Sequence, residues 1–224
     1  MIKTLIAVPC MDKMDTAFVR SLLAIQREGR MAVQLLANSL VYISREELSK
    51  FALDNECDYL LFLDSDMIFG EDLFVNLLKA AEEEKADIVT ALAFRRRPPF
   101  TPCVWEKIRV GEGDETIVKE FDELPEGRFE IDACGMAGCL IKTEWLKKSF
   151  ETYQTCFIPL PQFGEDISFC IRAKNLGAKI ICDSGVPMGH ISQTVVDRAT
   201  YLGYKEKQDA KQSQAGAPDH DNGL

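Results

Sequence analysis

Two aspartates separated by one serine, Asp64-Ser65-Asp66, follow directly on the apolar run Tyr59 to Leu63. Alternate side chains of an extended chain share a face, so the two carboxylates are expected to point the same way, roughly 6–7 Å apart. Like charges at that distance repel by about 2–3 kcal/mol at an effective dielectric near 20. A divalent cation with hard oxygen ligands would offset the cost, as would protonation of one aspartate or a nearby arginine. A purely structural alternative needs no ligand, because Asp and Ser also stabilise turns by bonding local backbone.

Other residues could complete such a site. Glu165 and Asp166 open a predicted helix, where the dipole keeps a carboxylate ionised near neutral pH, as a general base requires. Neighbouring helical residues diverge by about 100°, so one of the two faces a given substrate. Arg45 falls in or just before the first turn of another helix, where a cation does not complement the dipole; it is either solvated or aimed at an anion. Arg95-Arg96-Arg97 is either a solvated turn or a clamp for phosphate or carboxylate. Glycines at 135 and 138 either admit a ligand to the backbone or make a bulge at a strand start. His190 is one of two histidines, the other being His220 in a polar tail.

The elements that must position these groups alternate regularly. Strands are predicted at Lys3 to Val8, Met31 to Leu36, Tyr59 to Leu63, Asp87 to Ala93 and Ala178 to Asp183. Helices are predicted at Thr16 to Arg27, Tyr42 to Leu53, from Gly70-Glu71-Asp72 onward, and at Glu165 to about Leu176. That alternation predicts an α/β fold with a mostly parallel central sheet flanked by helices, whose ligand end is the carboxyl edge of the strands. From Phe94 to Asp132 the rhythm breaks into Pro-rich loop and short alternating runs, read as a small inserted hairpin region. Residues 1–204 are read as one domain and 205–224 as a disordered polar tail.

Composition narrows the classes of partner. A formal charge of −10 disfavours general binding to nucleic acid or anionic membrane. No stretch is long enough for a transmembrane segment. Eight cysteines without a Cys-x-x-Cys pair, in a chain able to build its own core, are expected as reduced thiols and point to a cytoplasmic protein.

Taken together in this order, the Asp64-Ser65-Asp66 strand end, Arg45, the segment 94–98, the turn 135–138, Gly164-Glu165-Asp166 and Gly189-His190 resemble the GT-A nucleotide-sugar glycosyltransferases, in particular small bacterial and phage-type enzymes related to family 2. The resemblance spans nearly all of residues 1–204. It implies a GT-A, Rossmann-like fold and transfer of a sugar from a nucleoside-diphosphate sugar to an acceptor hydroxyl, with inversion. It implies Mn2+ or Mg2+ held by Asp66 and His190, with Asp64 on the donor ribose or a metal water. Asp166 matches the acid that deprotonates the acceptor, with Glu165 beside it. Pro9 and Cys10 match a wall of the nucleoside pocket, and Asn38 stands where an aspartate reads the base in many relatives. Arg45 and the cluster Arg95 to Arg97 match positions near the donor phosphates or the acceptor, and Ser65 and Gly138 match positions about the donor. Two alternatives stand beside this reading: a nucleotidyltransferase that makes sugar nucleotides, against which the absence of glycine from Val8 to Asp12 weighs, and a non-catalytic nucleotide-sugar-binding protein. The nucleoside, sugar, acceptor and oligomeric state are left open, as is the choice between inversion and retention, in the second of which Asp166 would orient the acceptor or the metal site instead of acting as base.

Overall fold

Strands buried on both faces read as continuous apolar runs, and in the computed structural model, which describes residues 1–110 and 116–192, those runs form the centre of a sheet. In chain order the elements are β1 (Lys3–Cys10), α1 (Thr16–Ala24), β2 (Arg30–Ala37), α2 (Val41–Asp54), β3 (Tyr59–Leu63), β4 (Met67–Phe69) and α3 (Leu73–Glu83). There follow β5 (Ile88–Leu92), β6 (Val104–Trp105), β7 (Lys107–Val110), β8 (Thr116–Lys119), β9 (Arg128–Glu130), β10 (Ala133–Cys134) and β11 (Gly138–Lys142). The last three are α4 (Thr143–Tyr153), α5 (Glu165–Asn175) and β12 (Ile180–His190). The tail expected from residue 205 lies outside the described residues.

The main sheet has the order β2-β1-β3-β11-β5-β12-β4, with β9 added on β12. Strands β1, β2, β3, β5 and β12 run one way. The fold is therefore mixed α/β with a mostly parallel sheet. β4 and β9 run against them at β12, and so does β11 in the interior, which the sequence pattern did not expose: it enters antiparallel between β3 and β5, pairing Gly138 with Leu63 and Cys139 with Thr90. Its amino end thus lies at the same sheet edge as the carboxyl ends of β1, β3 and β5.

Helices cover both faces. Phe18 of α1 and Leu73, Phe74, Leu77 and Leu78 of α3 pack on Ile6, Val8, Leu61 and Leu63. Leu48 and Ala52 of α2, Trp145 and Leu146 of α4, and Phe169 and Ala173 of α5 pack on Leu5, Ala7, Leu60 and Phe62. In the second layer the Phe157 ring stacks on Phe169 at 4.6 Å and meets Phe62 edge-on at 5.3 Å. Such pairs add about 0.5–1.5 kcal/mol each beyond their burial.

Boundaries shifted where local chemistry overrode periodicity. Asp15 caps α1 by accepting from Ala17 N at 2.8 Å, and the helix stops at Ala24 because Ile25 turns extended and is buried. Asp72 is the N-cap residue of α3 rather than part of its first turn, and its carboxylate accepts from the Asn76 side chain at 2.9 Å. The inserted region contains the antiparallel pair β7–β8 and the strand β6, whose partner β10 begins just past the expected end at Asp132.

Candidate active site

The expected geometry of Asp64-Ser65-Asp66 is corrected by the structure. β3 ends at Leu63, and the next three residues form a turn closed by Met67 N donating to Asp64 O at 3.2 Å. The carboxylates are therefore not alternate members of one extended face, and each has its own cation. Asp64 Oδ1 accepts from Arg45 Nη2 at 2.8 Å, and Asp66 Oδ2 accepts from Arg96 Nη1 at 3.0 Å. Like-charge repulsion is relieved by arginine on both sides.

Arg45 is 3% exposed, so the solvated reading of this residue fails. Its Nε donates to Glu165 Oε1 at 3.3 Å and its guanidinium lies 5.1 Å from the centre of the Phe62 ring. Burial pulls the guanidinium pKa down, but the charges of Asp64 and Glu165 outweigh it and leave the group above its ordinary value. Nη1 is buried with no hydrogen-bond partner.

Glu165 and Asp166 diverge as a helix start requires. Glu165 turns to Arg45, while Asp166 points at the 135–138 turn, where a Cβ on Gly135 would lie 3.8 Å from its Oδ2. Burial, then the charge of Glu165, raise the Asp166 pKa from 3.8 to about 6, against the lowering effects of the Ile167 amide and Arg45. The dipole alone predicted an ordinary carboxylate; desolvation wins. The 2.7 Å bond from Ile167 N to Oδ1 leaves Oδ2 available.

His190 reaches the site because β12 continues well past the predicted end at Asp183. A bulge between Asp183 and Pro187 is stabilised by Gly185 N donating to Asp183 Oδ1 at 2.9 Å, and it redirects the strand to pair with β4. The His190 ring is held at Nδ1, 2.8 Å from Phe94 O, and its Nε2 lies 3.1 Å from Asp66 Oδ2. A carbonyl only accepts, so Nδ1 carries a proton; Nε2 donates to Asp66 Oδ2 only in the doubly protonated ring, and in the neutral ring it turns a lone pair towards the carboxylate, an arrangement that suits a cation between them.

Of the remaining predicted positions, Pro9, Cys10, Ser65, Asp64 and Asp66 line one cleft of about 260 Å³, together with Ser39 and Ser44. Asn38 sits at the end of β2 with φ 60° and donates its amide to Cys10 O at 3.2 Å, beside the cleft but not on its wall. Arg95 turns to Glu120 at 4.0 Å, and it is Arg96 that meets Asp66. Gly138 is buried inside β11, where a Cβ would collide with Sδ of Met188; the small residue serves packing rather than ligand approach. A cavity of about 590 Å³ at the opposite, amino-terminal end of the sheet is lined by Ile2, Tyr59, Glu82 and Glu144.

Sequence reasoning missed the clamp behind the site. Glu46 is buried and accepts from Cys156 N and Phe157 N at 3.0 and 2.8 Å, while Arg172 donates to Cys156 O at 2.8 Å and Ile158 O at 2.6 Å. Charged residues in amphipathic helices normally read as a solvated face, so periodicity carries no signal for this role.

Among the described residues, no three His, Cys, Asp or Glu side chains gather into a set able to hold a metal alone. The predicted trio divides: Asp66 and His190 face one another while Asp64 is paired with Arg45. All eight cysteines are free thiols, and no helix among the described residues is long and apolar enough to cross a membrane.

No protein-family model and no curated protein matches the chain. A solved structure, A197 from STIV, superposes with a TM-score of 0.59 over 86% of this chain and 87% of that chain, at 22% identity. The likeness is one of fold.

Proposed function

We propose that this chain is a GT-A glycosyltransferase that moves a sugar from a nucleoside-diphosphate sugar to an acceptor hydroxyl with inversion. The observation that carries the reading is the meeting of His190 Nε2 with Asp66 Oδ2 at 3.1 Å across 124 residues, next to a cleft at the carboxyl edge of the sheet. Carboxylate oxygen suits Mn2+ and neutral imidazole is a common ligand of divalent metals, and the Nδ1 bond to Phe94 fixes the ring for that purpose. Two protein ligands suffice where diphosphate oxygens and water complete the shell, as hard cations at phosphate sites commonly require.

A cation held there supplies charge to neutralise the departing diphosphate. The protein residues do the remaining work. Arg96, 55% exposed at its side chain, is able to leave Asp66 for a phosphate oxygen. Arg45 fixes Asp64 at the rim of the cleft and draws Glu165 away from Asp166. Asp166 then receives the acceptor proton at Oδ2, with a pKa of about 6 that leaves it ionised at neutral pH yet more basic than an ordinary aspartate.

The test is turnover of a panel of nucleoside-diphosphate sugars with Mn2+, followed as donor hydrolysis or as transfer to added acceptors. Asp66→Ala and chelator are each expected to lower the rate at least about a hundredfold. Activity indifferent to both overturns the mechanism. Release of pyrophosphate from a nucleoside triphosphate instead identifies a nucleotidyltransferase, and donor binding without any turnover identifies a binding protein.

A further inference from the structure

The strand at one end of the sheet lacks a neighbour on its outer side. β2, of 8 residues, pairs with β1 along its whole length and with no other strand among the described residues. Arg30 N donates to Ile2 O at 2.8 Å and Asn38 N to Cys10 O at 3.2 Å, so the even-numbered residues turn their backbone groups to β1. Direction alternates along a strand, and the amides and carbonyls of Met31, Val33, Leu35 and Ala37 therefore point away from the sheet. Leu35 O is met by its neighbour's side chain, Gln34 Nε2 donating at 3.2 Å. The devices that usually protect an edge are missing: Met31 to Ala37 contains no charge and no proline, and its register on β1 runs without a bulge. Val33 and Leu35 are 41% and 43% exposed. The edge at β4 is treated differently. That strand is 3 residues long, and its Phe69 amide donates to Ser21 Oγ of α1 at 3.2 Å.

What completes this edge is set by its own sequence. An antiparallel copy of β2 centred on Gln34 places Val33 opposite Leu35 and Met31 opposite Ala37, so that all four outward residues exchange both backbone bonds with the copy. Sliding the copy by two residues either way leaves one of the four without a partner. In the centred register Gln34 meets its own copy on the two-fold axis, the flanking pairs are apolar, and no like charges face one another. Arg30 is exposed, has no ion pair among the described residues, and lies opposite Asn38 of the copy, whose side-chain oxygen accepts from a guanidinium. The edge is thus complementary to itself, as a two-fold contact requires. Its size is also adequate. A strand of this length spans about 26 Å, and the sheet with the α2 layer is about 20 Å thick, so pairing buries on the order of 1,000 Å² in total, the lower limit for a specific complex.

We infer that the chain forms a two-fold dimer through antiparallel pairing of β2 with β2, which joins the two central sheets into one. The inference is independent of the glycosyltransferase reading above.

Sedimentation velocity of the full chain, from about 5 to 500 μM, is expected to show the mass moving from one chain toward two, with a dissociation constant on the order of 10–100 μM for a contact this small. Raising salt from about 0.05 to 0.5 M is expected to tighten the dimer, because two copies of charge −10 repel. Val33→Lys puts a charge on the open edge, and Leu35→Pro removes an outward amide while sparing the bonds to β1; each is expected to weaken the dimer at least about tenfold. The register has its own test. Facing Cα atoms of a non-hydrogen-bonded antiparallel pair lie about 4.5 Å apart, within disulfide reach, so Gln34→Cys is expected to cross-link two chains under oxidised glutathione. Val33→Cys, whose copy lies on the diagonal about 7–8 Å away, and the parent chain are expected not to cross-link. A chain that stays monomeric at 500 μM overturns the inference, even if it captures a strand from another protein at this edge. So do a dimer that withstands both Val33→Lys and Leu35→Pro, one that weakens as salt rises, and cross-linking at residue 33 in preference to 34.

Discussion

Asp166 holds its proton up to about pH 6 in the folded chain and to about 3.8 when unfolded. Between those values the native state binds the proton that the unfolded state has released, so this residue's contribution to stability falls as pH rises through the window and stays lost above it. Asp166→Asn is therefore expected to be more stable than the parent by about 2–3 kcal/mol at pH 7.5, with the difference vanishing near pH 4. Urea denaturation at the two pH values checks this; a constant difference contradicts it. If the residue is the base, kcat/KM of the parent rises with pH along a limb centred near 6, and the variant loses that limb along with most of its rate. Arg45 behaves differently, because removing a buried cation strands two carboxylates. Arg45→Met is expected to cost about 3–5 kcal/mol in urea denaturation. Arg45→Lys should recover only part, since an ammonium lacks the planar fork that reaches Asp64 and Glu165 together.

At the level of elements, the loop between α4 and α5 is held from two helices at once. Glu46 on α2 takes its amides and Arg172 on α5 takes its carbonyls, and between them Phe157 fills the space against Phe62 and Phe169. Because that loop leads into Glu165 and Asp166, the clamp sets where α5 begins. Glu46→Ala removes two charge-assisted bonds and is expected to destabilise by about 3 kcal/mol, with faster proteolytic nicking between residues 155 and 164. Resistance equal to the parent would show the loop is fixed by other contacts.

Elements of this kind were unevenly legible. Apolar runs such as Tyr59 to Leu63 announce themselves because both faces are buried, and the helix start at Glu165 is marked by its acids. β4 is three residues long and follows a turn, too short for any period to register. The antiparallel entry of β11 depends on pairing with strands far away in sequence, which local pattern does not encode. The candidate site shows the same division. Asp64, Asp66 and Asp166 stood out by type and spacing, but Arg45 was obscured because a buried cation is recognisable only once its two acids are in place. Arg96 could not be told from its neighbours until the loop conformation separated them, and Gly138 was ambiguous between packing and ligand approach until Met188 appeared beside it.

Across the whole molecule, a chain of formal charge −10 brings acidic side chains to one edge and balances them with a few arginines. Ligands that supply positive charge there should therefore stabilise the entire domain. With a free nucleoside diphosphate that the site accepts and Mn2+ at about a hundred times the dissociation constant, linkage gives about 2.7 kcal/mol of added stability. A thermal shift seen only when both are present, and absent in Asp66→Ala, is the expected result; an equal shift with the nucleotide alone would remove the cation from the site.

The placement of β11 between β3 and β5 has a consequence for synthesis. A nascent chain that has emerged from the ribosome only as far as residue 137 possesses both neighbours but not the strand that joins them, so two apolar edges wait unprotected. Asp66 waits longer still, until His190 arrives. Chaperone dependence of this chain should therefore be greatest over the stretch of translation between those two arrivals, and ease once β12 has been made.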